Sequence, residues 1–146
     1  MQKIDIIYQP PTPEEFVKLR KIAGLQPKKI TSAEKGIYNS LFWVTVRRRG
    51  KLIGMGRVVG DGGTVVQIAD IAVDPKYQRM GYGELILNNI KDYILAEIPD
   101  DAFVCLFSEK AAITFYGSKE FELSEKRWPG MYWPSGERVK PRSDNE

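Results

Sequence analysis

The sequence predicts a mixed α+β domain whose sheet is mostly antiparallel with one parallel pair of strands. Three observations carry this. Apolar alternation across residues 42–73 is cut twice by short glycine turns, which makes an antiparallel meander. A long amphipathic helical pattern follows at about residues 81–98. A continuous apolar run at 102–107 then returns to the sheet, and a strand reached through a crossover helix lies parallel to the strand that preceded it.

The elements follow in order. Ile4, Ile6 and Tyr8 alternate in a first strand over residues 3–9, which Pro10-Pro11 ends. Thr12-Pro13-Glu14-Glu15 starts a helix: Thr12 caps, Pro13 fits the first turn, and Glu15 completes a capping box. Phe16, Leu19, Arg20 and Ala23 keep helical spacing until Gly24 stops the chain. A short polar helix over 32–40 is expected to be capped by Ser32. Strands at 42–48, 52–59 and 64–73 are joined by Arg49-Gly50-Lys51 and Asp61-Gly62-Gly63. The long helix presents Leu85, Ile86, Ile90, Tyr93 and Ile94 on one face, and Pro99-Asp100-Asp101 breaks it. The run at 102–107 reads as a strand covered on both faces. A helix over 110–118 follows, then one or two strands from Phe121 with turns at Pro129-Gly130 and Pro134-Ser135-Gly136. The order is β-α-α-β-β-β-α-β-α-β-β, in one domain over 1–139 with a polar tail at 140–146.

Composition narrows the chemistry. The 146 residues suit a single core, with 42% hydrophobic and 28% charged side chains. The sequence contains no histidine, which excludes Ser-His and Cys-His nucleophile systems and the common zinc sites, so no metal is expected. The single cysteine, Cys105, lies among Phe103, Val104, Leu106 and Phe107 and reads as a buried structural thiol. The net charge of +3 does not call for nucleic acid. Arg47-Arg48-Arg49 is either a solvated hairpin end or an anion contact. No apolar run approaches the roughly 18 residues that span a bilayer, and the start of the chain lacks a signal-peptide layout. No membrane partner and a cytoplasmic location are therefore expected.

The chemistry-bearing feature is the junction at 70–85, where a strand runs through Gln78-Arg79-Met80-Gly81-Tyr82-Gly83 into the long helix. First-turn N–H groups lack intrahelical partners and carry the positive end of the dipole, which favours a diphosphate. Gly81 and Gly83 let the backbone approach phosphate oxygens, Gln78 and Arg79 add donors, and Glu84 suits the dipole. There is no Gly-Lys-Ser/Thr of a P-loop and no third glycine of a dinucleotide fingerprint. On spacing alone the segment is equally a helix start with two convenient glycines.

The segment 78–83 matches the Gln/Arg-x-x-Gly-x-Gly/Ala signature of the GNAT acetyltransferases. Asp70-Ile71-Ala72-Val73-Asp74-Pro75 upstream and Ala112-Ile113-Thr114-Phe115-Tyr116 downstream also resemble that family at its usual separation, and the element order resembles it over almost the whole chain. The resemblance implies a sheet splayed between its fourth and fifth strands, with helices on both faces, and acetyl-CoA in the splayed cleft. Backbone groups of Ile71, Ala72 and Val73 would meet the pantetheine arm, and Gln78, Arg79, Met80, Gly81, Tyr82, Gly83 and Glu84 would hold the pyrophosphate. Tyr116 would sit by the thioester sulfur as the general acid; read by itself, it is equally a helix aromatic packed beside Phe115 and Phe121. Glu109 stands where an asparagine is common in the family, beside the cofactor, and Glu120 where a glycine is usual.

The implied activity is acetyl transfer from acetyl-CoA to a primary amine, of a small molecule, by direct transfer without an acyl-enzyme. A protein or peptide acceptor, or a non-catalytic acyl-CoA-binding module, are the alternatives. By the resemblance, Gln67 falls where many relatives carry a glutamate or histidine base; it cannot take a proton but can position a water. Alternation puts Asp70 on the face opposite Gln67 and Ala69, which suits a structural role, and Glu34 is a distant candidate base. Tyr38, Asn39, Trp43, Trp128, Met131, Tyr132 and Trp133 are candidate acceptor-lining residues, or alternatively fill the core or a homodimer seam.

Overall fold

The capping box fixes the first helix. Thr12 Oγ1 accepts from Glu15 N at 3.1 Å while Glu15 Oε1 accepts from Thr12 N at 3.0 Å, so α1 (Pro13–Ile22) starts as the sequence predicts. Gly24, at φ +83°, follows its end. The second helix, α2 (Ile30–Gly36), begins earlier than expected: Lys29 is at its cap without a side-chain bond, and Ser32 lies inside it. In this computed structural model, residues 3–125, 127, 129–131 and 134 are described. The chain divides into two compact units after Phe107.

The first unit holds β1 (Asp5–Ile7), α1, α2, β2 (Phe42–Arg48), β3 (Lys51–Gly60), β4 (Val65–Val73), α3 (Tyr82–Glu97) and β5 (Phe103–Leu106). The sheet order is β1-β2-β3-β4-β5, antiparallel except for the parallel pair β4–β5. Arg49 and Gly50 join β2 to β3 with φ values of +51° and +77°, the left-handed pair that a tight hairpin turn requires. The next turn is organised by the Asp61 carboxylate, which accepts from Gly63 N and Thr64 N at 2.8 Å and Val65 N at 3.0 Å.

Helices cover both faces of the sheet. On one, Phe16 and Leu19 of α1 and Ala33 of α2 pack with Trp43, Met55 and Ala72. On the other, α3 lies in a trough made by Gly54 and Gly56. A Cβ at Gly56 would stand 2.7 Å from Ile86 Cγ2, 3.0 Å from Ile90 Cδ1 and 3.2 Å from Ile71 Cγ1. The buried residues of α3 are Ile86, Leu87 and Ile90; Leu87 is not on the predicted face, and Leu85, Tyr93 and Ile94 of that face are half-buried. β5 is not covered as expected: Phe103 is 44% exposed, and Phe107, just past the strand, is 72% exposed. Among the described residues β5 pairs on one side only.

One irregularity shapes β4. Met55 pairs with Ala72 and Arg57 with Ala69, so Asp70 and Ile71 together face Gly56 in a β-bulge. Asp70 adopts φ +57° there.

The second unit contains α4 (Ile113–Gly117), preceded by a 3₁₀ turn over Lys110–Ala112. Glu120 has φ +76°, the left-handed conformation that glycine adopts freely. Described residues 121–125 carry no strand, and the rest of the expected C-terminal strands and the tail lie outside the described residues.

Candidate functional site

β4 and β5 pair from Val65 opposite Phe103 to Ile68 opposite Leu106 and then part, while β4 continues to Val73. Along residues 69–73, that edge of β4 has no ladder partner among the described residues. Asp74 N donates to Ile53 O of β3 at 2.8 Å, so by alternation the peptide groups of Val73, and of Ile71 before it, point toward the unpaired edge. Gln78 Nε2 donates to Val73 O at 3.0 Å.

The unpaired edge leads straight into a helix start. Asp74 is 4% exposed, and its carboxylate accepts from Lys76 N at 3.0 Å, capping a short 3₁₀ turn over Pro75–Tyr77. Arg79 and Gly81 take φ +63° and +87°, and Gly81 is the N-cap of α3 with no side-chain cap bond. Leu85 N to Gly81 O, 3.0 Å, closes the first turn of the helix, so Tyr82 N–H and Gly83 N–H lack intrahelical acceptors. Nothing lies within 4 Å of where a Gly81 Cβ would be. The glycine is needed there for its backbone conformation and leaves the N–H groups accessible. Open strand edge, left-handed turn and uncapped helix start form a continuous line of backbone donors, suited to an extended amide-bearing arm ending in a diphosphate.

On the face that carries α1 and α2, three charged side chains meet. Asp70 gives one carboxylate oxygen to Arg20 Nη1 and the other to Arg57 Nε, the latter at 2.6 Å. Side-chain exposures are 7% for Asp70, 10% for Arg20 and 18% for Arg57. Arg20 also donates to Gln26 O from Nε and Nη2, at 3.1 and 2.7 Å. Arg57 Nη1 reaches Gly36 O at 3.3 Å and Ser40 Oγ at 3.1 Å. Both guanidiniums lie over the Phe16 ring, at 5.7 and 5.8 Å from its centroid. Gln67 is half-buried on this same face, between Val59 and Cys105 in the ladder, and its side chain makes no hydrogen bond among the described residues.

In the second unit, Tyr116 of α4 packs edge-to-face on Phe115 and Phe121, with centroids 5.1 and 6.1 Å away. Burial pushes its phenol above the ordinary value, which keeps the proton on. Glu109 is exposed and caps the 3₁₀ turn before α4 by its backbone position alone.

The profile of the Acetyltransferase (GNAT) family matches residues 3–121. The chain belongs to the GNAT family of N-acetyltransferases. Its solved neighbours include a probable acetyltransferase of unknown function from meticillin-resistant Staphylococcus aureus, 42% identical with a TM-score of 0.86, covering 90% of this chain and 99% of that one. An uncharacterized ycf52-like N-acetyltransferase of Prochlorococcus marinus is 30% identical over 82% of this chain and 67% of its own. GCN5-related N-acetyltransferase 2 of Arabidopsis thaliana, a chloroplastic protein, is 32% identical over 57% of this chain. The match spans about a third of that relative's length, 31%. GNAT enzymes generally take acetyl-CoA as acyl donor, and the β4 edge and uncapped α3 of this chain fit such a molecule.

Several expected site residues stand differently in the GNAT frame of this chain. The alternation argument for Asp70 fails because the bulge inserts a residue. Arg57 is opposite Ala69 and bonds Asp70, so the Asp70 carboxylate shares a face with Ala69 and Gln67. Trp43 is 5% exposed and donates from Nε1 to Ile37 O at 2.7 Å, so it is a core residue rather than a cleft wall. Tyr38 and Met131 are exposed, at 63% and 93%, and the Asn39 amide donates to Lys35 O. Trp128, Tyr132 and Trp133 lie outside the described residues. The arginine run is a hairpin end: Arg47 pairs with Glu15, Arg48 donates to Tyr77 OH at 3.2 Å, and Arg49 makes the turn. Cys105 is half-buried, not buried; its thiol faces Val66 O at 3.7 Å. Sequence reasoning missed Arg20 and Arg57, although an arginine in the apolar stripe of α1 was a signal for the first.

Proposed function

We propose that this GNAT enzyme transfers an acetyl group from acetyl-CoA to the primary amine of a small molecule, directly, within a ternary complex. The observation that carries the reading is the unpaired edge at Ile71 and Val73 running into the uncapped start of α3. The donor's amide-bearing arm pairs along that edge in the manner of a short strand. Its pyrophosphate rests on Tyr82 N–H and Gly83 N–H, with Arg79 and the second N–H of the Gln78 side-chain amide beside it. Acetyl-CoA supplies the activated thioester. Backbone N–H near Val73 polarises the thioester carbonyl as charge develops on its oxygen. The neutral amine forms the new C–N bond, the C–S bond breaks, and Tyr116, protonated at working pH, gives its proton to the thiolate. Gln67 positions the water that carries the proton away from the acceptor ammonium.

Two features support direct transfer to a small amine. Burial raises the Cys105 thiol above its ordinary value, so little thiolate is present to form an acyl-enzyme. The α1–α2 cover is tied to β3 and β4 through Arg20 and Arg57, a fixed cover that suits a small acceptor better than a long chain.

Thermal shift tests the donor and thiol release tests turnover, with an amine panel that includes peptides. Acetyl-CoA should raise the melting temperature. Small amines should outpace peptides, and the reverse order would favour a protein acceptor. Tyr116→Phe should lower kcat about 100-fold or more while donor affinity holds. Unchanged thiol release in that variant removes the acid assignment. A one-acetyl mass shift on Cys105 would overturn direct transfer.

A further inference from the structure

We propose that Asp70 is a positioning residue for acetyl transfer, holding the β4 bulge and the α1–α2 cover in one register. The proposal rests on the reading that the acyl group lies along the β4 edge. Three observations on unrelated parts of the chain converge on this carboxylate.

The first is its backbone. Asp70 sits at φ +57° in the bulge, next to Ile71 and Val73, whose peptide groups point to the open edge. The left-handed backbone is disfavoured for most L-residues, and Asp is among the few whose short polar side chain can support it. Its carboxylate, bonded on both oxygens, is what holds it here. The direction of the following N–H groups therefore depends on the side chain before them.

The second is the reach of its partners. Arg20 belongs to α1 and also gathers Gln26 O, in the segment between α1 and α2. Arg57 belongs to β3 and also gathers Gly36 O at the end of α2 and Ser40 Oγ beyond it. One carboxylate thus ties down the chain on either side of α2, over the face that carries Gln67. The third is burial. With 7% of its side chain exposed and two guanidiniums against it, Asp70 is too buried for bulk solvent to replace a lost partner. Losing the carboxylate leaves two cations close together by the Phe16 ring with no anion between them.

Donor edge and acceptor cover are thereby set by the same group. Because a displacement of about 1 Å can cost 100-fold in rate, releasing the clamp should act on transfer more than on donor binding. Asp70→Asn keeps a side chain that suits the left-handed conformation but removes the charge. Asp70→Gly keeps the backbone conformation and removes the side chain. Arg57→Lys keeps a cation near Asp70 but loses the fork to Gly36 and Ser40.

The experiment measures kcat, acceptor KM and the Kd of acetyl-CoA by calorimetry for the wild type and these three variants. It is run at 10 °C on protein shown folded by circular dichroism. The expected result is a fall in kcat of about 10- to 100-fold and a several-fold rise in acceptor KM for Asp70→Asn and Asp70→Gly. Acetyl-CoA Kd should stay within about threefold, with Arg57→Lys intermediate. Should either Asp70 variant fail to fold, the other and Arg57→Lys carry the test. A lower melting temperature with wild-type kcat and acceptor KM would mean a brace for stability alone, and would overturn the proposal. Equal losses in donor Kd and kcat would overturn it too. A wild type that neither binds acetyl-CoA nor releases thiol would bring down the transfer reading, and this proposal with it. An active wild type matched by active Asp70 variants would bring down only the clamp.

Discussion

Gly56→Ala tests whether the trough under α3 fixes the donor site. The added methyl would stand 2.7 Å from Ile86 Cγ2, 3.0 Å from Ile90 Cδ1 and 3.2 Å from Ile71 Cγ1. Ile86 and Ile90 are fully buried, at 0% exposure, so neither has space to retreat into. Cγ2 of Ile86 is attached directly to its β-carbon and cannot swing away without a change of χ1. Overpacking of this kind costs about 1–3 kcal/mol. Replacing glycine restricts the unfolded chain and returns roughly 0.4–1 kcal/mol. The net expectation is a loss of about 1–2 kcal/mol, or roughly 3–8 °C in melting temperature for a chain of this size. The strain falls on α3, whose start carries the proposed phosphate donors, and on Ile71 in the bulge. Acetyl-CoA Kd should therefore weaken several-fold. Urea melts give the stability and calorimetry gives the Kd. Gly36→Ala is the control: nothing lies within 4 Å of its Cβ position in α2, so it should be neutral or stabilising by up to about 1 kcal/mol. A Gly56→Ala protein with the wild-type urea midpoint would refute the packing argument.

Gly81→Ala meets open space but not an easy backbone. At φ +87° the alanine costs about 1–2 kcal/mol, which reshapes the turn and should weaken acetyl-CoA binding more than it lowers stability; calorimetry beside a thermal melt reads both. Glu15 supplies a pH signature. The hydrogen bond from Arg47, with donors from Thr12, holds its pKa at about 2, below its ordinary value. Because the folded value is depressed, this contribution is complete above the unfolded value of roughly 4.3 and is lost as pH falls through about 2. The pair is partly exposed and screened, so Glu15→Gln should cost only about 1 kcal/mol at pH 7. The difference from wild type should vanish near pH 2, as urea melts across that range would show.

Much of this fold was legible because local chemistry and global arrangement agree. Thr12 and Glu15 specify the start of α1 with their own side chains, and Asp74-Pro75 ends β4 where a carboxylate can cap and a proline cannot pair. The left-handed turn into α3 was legible too, because two glycines at a helix start leave a spacing in the sequence. What escaped depends on partners far along the chain. Arg20 and Arg57 lie 50 and 13 residues from Asp70, and nothing local marks them as its neighbours. The bulge was invisible for a related reason. It exists only as a mismatch between two strands, and a one-residue insertion reverses every face assignment beyond it. Trp43 misled because an aromatic in a strand fits a cleft wall as well as a core. Glu120 shows the opposite case: a glutamate holds the left-handed turn where the family commonly uses glycine, so the conformation outlasts the residue type that would have announced it.

The unpaired stretch of β4 also bears on how this protein avoids sticking to itself. An open strand edge is a template for any extended chain, including another copy of the same sheet. Here the template runs only from Ala69 to Val73. β5 blocks it at one end, Asp74-Pro75 cuts it at the other, and the bulge at Asp70 and Ile71 twists it out of register within that length. A strand from a neighbouring molecule would find few consecutive bonds before meeting one of these stops. A narrow, flexible arm needs no more than that. The geometry that admits a small extended ligand thus doubles as protection against intermolecular sheet growth.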